Sequence, residues 1–360
     1  MVSTVTGRPD PPTTRGEVHP AVRQARRVVG LYGDPDVTWS IVLRLLLTDA
    51  HSVEEMTRRL PALFDAHPHL GRPPTIERLD PETLDRFANE EFGDDAPLVR
   101  VALDDAGREF VLAAHHGAVD GLGLVGLAGR VLGLDLGTSA RGVTRTGAEP
   151  GFLAGSLRRL GEVVFRPPER FRGVERAEHG DHLLRAEQPL RMQGTGALAW
   201  AGMQALRAWN EAPPRHPVIA LGVSRRPGLP SPRPDRDTAY TRLRVRGIED
   251  RAALTDLLSR TQPEPDFPVT DAHGLGALMT RRLGSRLGAS MLVSNLGLMS
   301  GPGVDSASFW PVASGPNGVG LGLVSAGGVT TLTVRVRRGW FTEEQAASLL
   351  DLTCRSWTEL

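Results

Sequence analysis

The apolar positions of the chain fall into short blocks whose spacing switches between that of strands and that of helices. Thr38 to Leu47 is almost continuously apolar and reads as a buried strand. Behind it, Val53, Met56, Leu60 and Leu63 recur at helical spacing, and Ser52 with Glu55 has the form of a capping box. Two short apolar runs, Leu98 to Leu103 and Glu109 to Ala114, are divided by Asp104-Asp105-Ala106-Gly107-Arg108, which predicts a hairpin. The second run feeds a polar turn, and a helix is expected from Leu122 to Leu132.

From Gly133 to about Glu178 the texture changes to Gly, Thr, Arg and Pro, with one helical piece near Phe152 to Val164. A second unit follows. Strands are expected at His182 to Glu187, Pro217 to Ser224 and Ser290 to Ser294, with helices at Gly196 to Trp209, Asp250 to Ser259 and about Ala272 to Leu287. Tyr240 to Val245 alternates, placing Arg242, Arg244 and Arg246 on one face of a half-exposed strand. Val319 to Ser325 and Thr330 to Arg337 form a hairpin, and Thr342 with Gln345 caps the last helix. Runs of this kind predict an α/β protein with mixed (α+β) sheets. Its expected divisions are a disordered tail at 1–17, an N-terminal lobe at 18–150, a crossover at 151–180 and a C-terminal lobe at 181–360.

Composition narrows the function more by exclusion than by suggestion. With 42 basic residues against 42 acidic ones in 360, no net charge favours nucleic acid or an anionic membrane as partner. Every basic residue is arginine, so Schiff-base lysines, Walker lysines and Ser–Lys dyads are excluded. The lone Cys354 forbids an internal disulfide or a cysteine-rich metal site, and its helical spacing from Ala346, Leu350 and Trp357 predicts packing. No apolar run is long enough to span a bilayer and the first residues carry no signal-peptide core, which predicts a cytoplasmic location.

One segment concentrates chemistry: His115-His116-Gly117-Ala118-Val119-Asp120-Gly121, where an apolar strand ends. Alternation puts the two histidines on opposite faces, so only one can reach a shared cavity. A histidine there suits a general base, because its ordinary pKa lies near neutrality. Asp120 is the natural orienting acid, and Gly121 permits close approach at the start of the following helix.

This segment matches the HHxxxDG signature, and the chain resembles the condensation-domain superfamily, which includes chloramphenicol acetyltransferase-like enzymes. Ala66 to Pro74 is similar to the family's "HPxLR" segment, Val218 to Gly228 to the strand ending in Arg, and Met291 to Gly297 to the "SN" segment that crosses back between lobes. The resemblance implies two similar lobes in a V-shaped pseudo-dimer, with a central channel and the second histidine at its middle. His116 would be the catalytic base, His115 a structural histidine, Asp120 an arginine-paired structural acid and Gly121 the channel-floor glycine. Ser294 and Asn295 would border the channel. Because Gly71 occupies the expected arginine position, the partner of Asp120 is open among Arg72, Arg225 and Arg226.

The implied donor is acyl-CoA or a phosphopantetheinyl thioester on an acyl- or peptidyl-carrier protein, and the acceptor is a small-molecule alcohol or amine. No bound cofactor or metal is implied. The expected protein is a monomeric, stand-alone acyltransferase of natural-product biosynthesis. Two alternatives keep the fold: cyclisation or epimerisation of a carrier-bound intermediate, or a non-catalytic module that binds a carrier protein.

Lesser signals point elsewhere. Gly121, Gly123 and Gly126 formally spell G-x-G-x-x-G, but the βαβ context of a dinucleotide site is missing. His179 and His182 lack a third ligand. The Arg242/Arg244/Arg246 stripe reads as a solvated face, or as a dock for an acidic carrier protein or a CoA phosphate.

Overall fold

The computed structural model describes residues 18–29, 37–140, 166–191, 193–226, 232–264, 288–315 and 318–359. The expected tail at 1–17 and the helices expected near 152–164 and 272–287 lie outside the described residues.

Two mixed sheets organise the chain. The first comprises β1 (Ser40–Leu47), β2 (Ile76–Arg78), β3 (Val99–Leu103), β4 (Glu109–His115) and β10 (Val304–Trp310), in the order β10-β1-β4-β3-β2. β1 lies inside the sheet, between β10 and β4, and both its faces are apolar. Ile41, Leu43, Leu45 and Leu47 enter the main core, while Val42 meets Phe87, Val111 and Trp310 in a smaller one behind. Around the main core lie α1 (Pro20–Val29), α2 (Val53–Ala66) and α4 (Gly121–Leu132); α3 (Thr83–Asn89) supplies Phe87 to the smaller one. Helix α1 was not expected from the pattern, since its arginines mask a short apolar face of Ala21, Val22, Ala25 and Val29. Ser52 caps α2 by accepting from the Glu54 N–H, so the expected Ser52–Glu55 box is not the cap formed.

The second sheet comprises β6 (Asp181–Pro189), β7 (Val218–Ser224), β8 (Thr238–Arg244), β9 (Met291–Ser300), β11 (Val319–Ala326) and β12 (Val329–Arg337), in the order β6-β12-β11-β9-β7-β8. Helices α5 (Thr195–Trp209) and α7 (Glu343–Thr358) cover its outer face, with α6 (Arg251–Arg260) beside them. The Thr342–Gln345 capping box of α7 is formed. Cys354 is buried on that helix, and burial pushes its thiol up to about 11, so it packs rather than reacts.

The chain exchanges strands between the sheets. β9 runs on to Ser300 instead of ending at Ser294, and β10 then leaves for the first sheet, where Val42 pairs with Trp310. In return, β5 (Gly137–Thr138) pairs with the end of β9. A division at 181 therefore does not separate the two sheets, because β10 belongs to the first. Arg335 adds a side-chain tie. Fully buried on β12, it donates to Asp181 Oδ2 at 2.6 Å and to the carbonyls of Ser40 and Ala88 in the first lobe.

The arginine stripe of β8 is not one solvated face. Arg242 is buried and donates to the Gly288 carbonyl, Arg244 pairs with Glu264 at 3.3 Å, and only Arg246 is exposed. The strand is covered on the side that alternation assigned to solvent.

Candidate active site

The site forms where β4 ends and α4 begins. β4 is held in the sheet through His115, whose N–H donates to the Leu98 carbonyl. The chain then turns, and the His116 N–H donates to the Trp39 carbonyl at 2.7 Å. Trp39 sits at φ 56°, a left-handed conformation that a bulky side chain rarely takes and that costs on the order of 1–2 kcal/mol. That cost falls on the residue that anchors the turn.

The two histidines diverge as alternation requires. His115 is buried, its Nδ1 accepts from the Gly117 N–H at 3.0 Å, and its ring meets Phe92 edge-on. Burial, with His116 and Arg26 nearby, pushes it down to about 3, so it is a neutral packing group. His116 is half-buried and lines a cavity of about 390 Å³. Its Nδ1 lies 3.2 Å from the Val119 carbonyl. A carbonyl oxygen only accepts, so Nδ1 carries the proton and Nε2 keeps the lone pair. Loss of solvation and then the Arg236 charge push His116 down to about 4, against the Val119 bond and Asp120. It is an unprotonated imidazole at neutral pH.

Asp120 is buried and saturated with donors. It caps α4 by accepting from the Gly123 N–H at 2.7 Å. Both its oxygens accept from Arg226 Nη1, at 2.9 and 2.8 Å, and Oδ2 also accepts from the Asp237 N–H and the Thr238 hydroxyl. Arg226 in turn donates to the carbonyl and carboxylate of Asp235. Burial works against the Arg226 charge, but Asp120 and Asp235 outweigh it and hold its pKa up.

Of the three arginines left open, Arg226 makes the pair with Asp120. Arg72 does not. Gly71, at φ 79°, turns the chain, and Arg72 pairs in solvent with Asp95 at 2.9 Å. Arg225 gives its backbone N–H to the Asp237 carbonyl, extending the β7–β8 ladder. Ser294 and Asn295 both line the cavity. Asn295 Oδ1 accepts from the Gly297 N–H at 2.7 Å, and its Nδ2 reaches Thr195 Oγ1 at 3.4 Å.

The three glycines of the formal dinucleotide fingerprint serve packing. A Cβ on Gly121 would lie 2.8 Å from Leu296, one on Gly123 2.1 Å from the Asp235 carbonyl, and one on Gly126 1.9 Å from the Pro232 carbonyl. Each lets the second lobe close on α4.

Reading the sequence did not pick out Trp39, Asp235, Arg236, Asp237 or Thr238. The last four form a charge-dense run at the start of the Arg-bearing strand β8, which was the available signal. Among the described residues, no group of three or more His, Cys, Asp or Glu is placed to hold a metal. His182 is engaged by the Phe341 carbonyl and Asp181 by Arg335. No described helix is long and apolar enough to cross a membrane.

No protein-family model matches the sequence, and no curated protein matches it. Solved structures do. The first condensation domain of the calcium-dependent antibiotic synthetase, in complex with a substrate analogue, aligns over 96% of each chain at 15% identity, TM-score 0.60. The starter condensation domain of rhizomide synthetase RzmA, a mutant in complex with C8-CoA and Leu-SNAC, aligns over 95% of this chain and 93% of that one at 14% identity, TM-score 0.56. The condensation domain of the Monacolin K polyketide synthase MokA aligns over 95% and 96% at 11% identity, TM-score 0.56. Together with the two mixed sheets and their exchanged strands, these alignments show that the chain has the two-lobed condensation-domain fold.

Proposed function

We propose that the protein is an acyltransferase of the HHxxxDG type. It moves an acyl group from a CoA or carrier-protein pantetheine thioester to a small-molecule hydroxyl or amine. The observation that carries this reading is the state of His116: an unprotonated imidazole, tautomer set by the Val119 carbonyl, on the wall of the cavity. The rhizomide synthetase relative, crystallised with an acyl-CoA and an aminoacyl thioester analogue, supports the same pair of substrate classes.

In this reading His116 Nε2 takes the proton of the acceptor as its oxygen or nitrogen attacks the thioester carbonyl. The tetrahedral adduct collapses, the C–S bond breaks, and the proton passes to the leaving thiolate. Atoms balance without a metal or redox group. Asp120 and His115 touch neither substrate. They hold the turn that carries His116, and the cavity brings the two reactants together. Base catalysis of this kind contributes roughly 10²- to 10⁴-fold. The similar domains come from antibiotic, rhizomide and Monacolin K synthases, which supports a place in natural-product biosynthesis.

Thiol release from acyl-CoA thioesters, followed with a chromogenic disulfide reagent with and without amine or alcohol acceptors, tests this. Release should require an acceptor and fall about 10²- to 10⁴-fold in His116→Ala. Release that ignores the acceptor, or survives the substitution, would sink the proposal. Conversion of a single carrier-bound intermediate without an acceptor would point instead to cyclisation or epimerisation.

A further inference from the structure

Glycine in a strand needs a reason, because it sacrifices packing and costs chain entropy. Four glycines among the residues lining the His116 cavity can be compared on this point. Gly121 is forced by contact, since its Cβ would lie 2.8 Å from Leu296. Gly297 sits at φ 75°. Gly194 is the N-cap of α5, a position where glycine is common. Gly222, in the body of β7, has none of these reasons. Its φ is outside the left-handed range, and among the described residues an added Cβ would meet only the Thr238 methyl, at an ordinary 3.8 Å. Neither backbone nor packing demands a glycine there. What it changes is the space in front of it.

The register says where that space lies. On β7, Ser224 pairs with Thr238, whose hydroxyl donates to Asp120. Gly222 pairs with Tyr240, two residues further on, about 7 Å along the strand from that end of the site. Beyond it Ala220 pairs with Leu292, which again lines the cavity. The cavity's apolar lining includes Leu292, Leu323, Phe309 and Val312, with hydroxyls among them. Arg191 is the one carboxylate- or phosphate-pairing charge among the described lining residues. Such a wall suits an uncharged alkyl chain, and none of its described residues offers an ammonium group a carboxylate.

We propose that Gly222 is a specificity-determining residue: it opens the cavity alongside β7 to the acyl chain of the donor and sets the length of chain accepted. This rests on the acyltransferase reading, but its test does not require turnover.

The probes are unreactive S-alkyl-CoA thioethers, from ethyl to dodecyl, titrated calorimetrically against the full chain and against Gly222→Ala and Gly222→Leu. In the unaltered protein, affinity should climb about fourfold per added methylene until the cavity is full. In Gly222→Leu the climb should stop several carbons earlier, with ethyl-CoA affinity unchanged within twofold. Gly222→Ala should fall between. The unchanged short-chain affinity also reports that the variants are folded. Parallel curves for all three proteins, or affinity independent of chain length in the unaltered one, would overturn the proposal. Thiol release stays separate. A chain-length curve of the expected form without acceptor-dependent release would retire the transferase reading and keep the role of Gly222.

Discussion

Asp120, the N-cap of a helix in the first lobe, is clasped by Arg226 from the end of a strand in the second, with both carboxylate oxygens 2.8–2.9 Å from one guanidinium nitrogen. Neither residue lines the cavity, yet the turn bearing His116 is built on this pair. The helix cap, the β7–β8 connection and the catalytic turn share one carboxylate.

Removing either partner should therefore be costly. Asp120→Ala removes the α4 cap and leaves the buried Arg226 guanidinium only its Asp235 contacts, while Arg226→Ala leaves the buried Asp120 carboxylate with neutral donors and no counter-charge, and each should destabilise by about 3–5 kcal/mol. The double variant should cost less than the sum, because the second change removes the group whose partner the first took away. Urea unfolding of the three variants measures this, and single losses below about 1 kcal/mol would refute it.

The adjacent histidines should separate cleanly. His116→Ala should abolish most transfer, a loss of about 10²- to 10⁴-fold in kcat/KM, with little change in unfolding midpoint. His115→Asn, whose Oδ1 can still accept from the Gly117 N–H, should retain turnover and lose stability through the missing Phe92 contact. Equal losses of activity would contradict the assignment.

Acid should weaken the fold at mild pH. Both histidines have folded pKa values below the ordinary 6.5, His115 about 3 and His116 about 4. Above 6.5 both states are unprotonated and nothing is lost. Between 6.5 and about 3 the unfolded chain binds protons the folded one refuses, so stability falls with falling pH, by up to about 1.4 kcal/mol per unit for each. His115→Asn should reduce that slope in urea titrations across pH 4 to 7. For the same reason kcat/KM should stay flat from neutrality down to about pH 5, and a bend near 6.5 would show His116 to be solvated.

Gly123→Ala and Gly126→Ala should reverse the usual helix rule. In an exposed helix the change gains up to about 1 kcal/mol. Here each methyl meets a backbone carbonyl of the Pro232–Asp235 segment. Overpacking should cost about 1–3 kcal/mol, and thermal unfolding gives the sign directly.

Some of this was legible in the residues themselves. Strand and helix periods located most elements of both lobes, because apolar alternation reflects which face is buried. The spacing of His115, His116 and Asp120 placed a base and an acid on one turn, which local geometry alone dictates. The G-x-G-x-x-G string lacks a βαβ context in the sequence, where its packing role is invisible.

What the chain could not declare depends on residues far apart. Asp120 chose Arg226 over Arg72 because the turn at Gly71 sends Arg72 to solvent beside Asp95, while β7 delivers Arg226 from 106 positions away. The exchange of β10 into the first sheet, the burial of Arg242 and the depressed pKa values of the histidines follow from contacts and burial that only the folded chain creates. Local sequence sets which face of an element is apolar. Only the tertiary packing decides what that face meets, and so which charges are buried, paired or left facing the cavity.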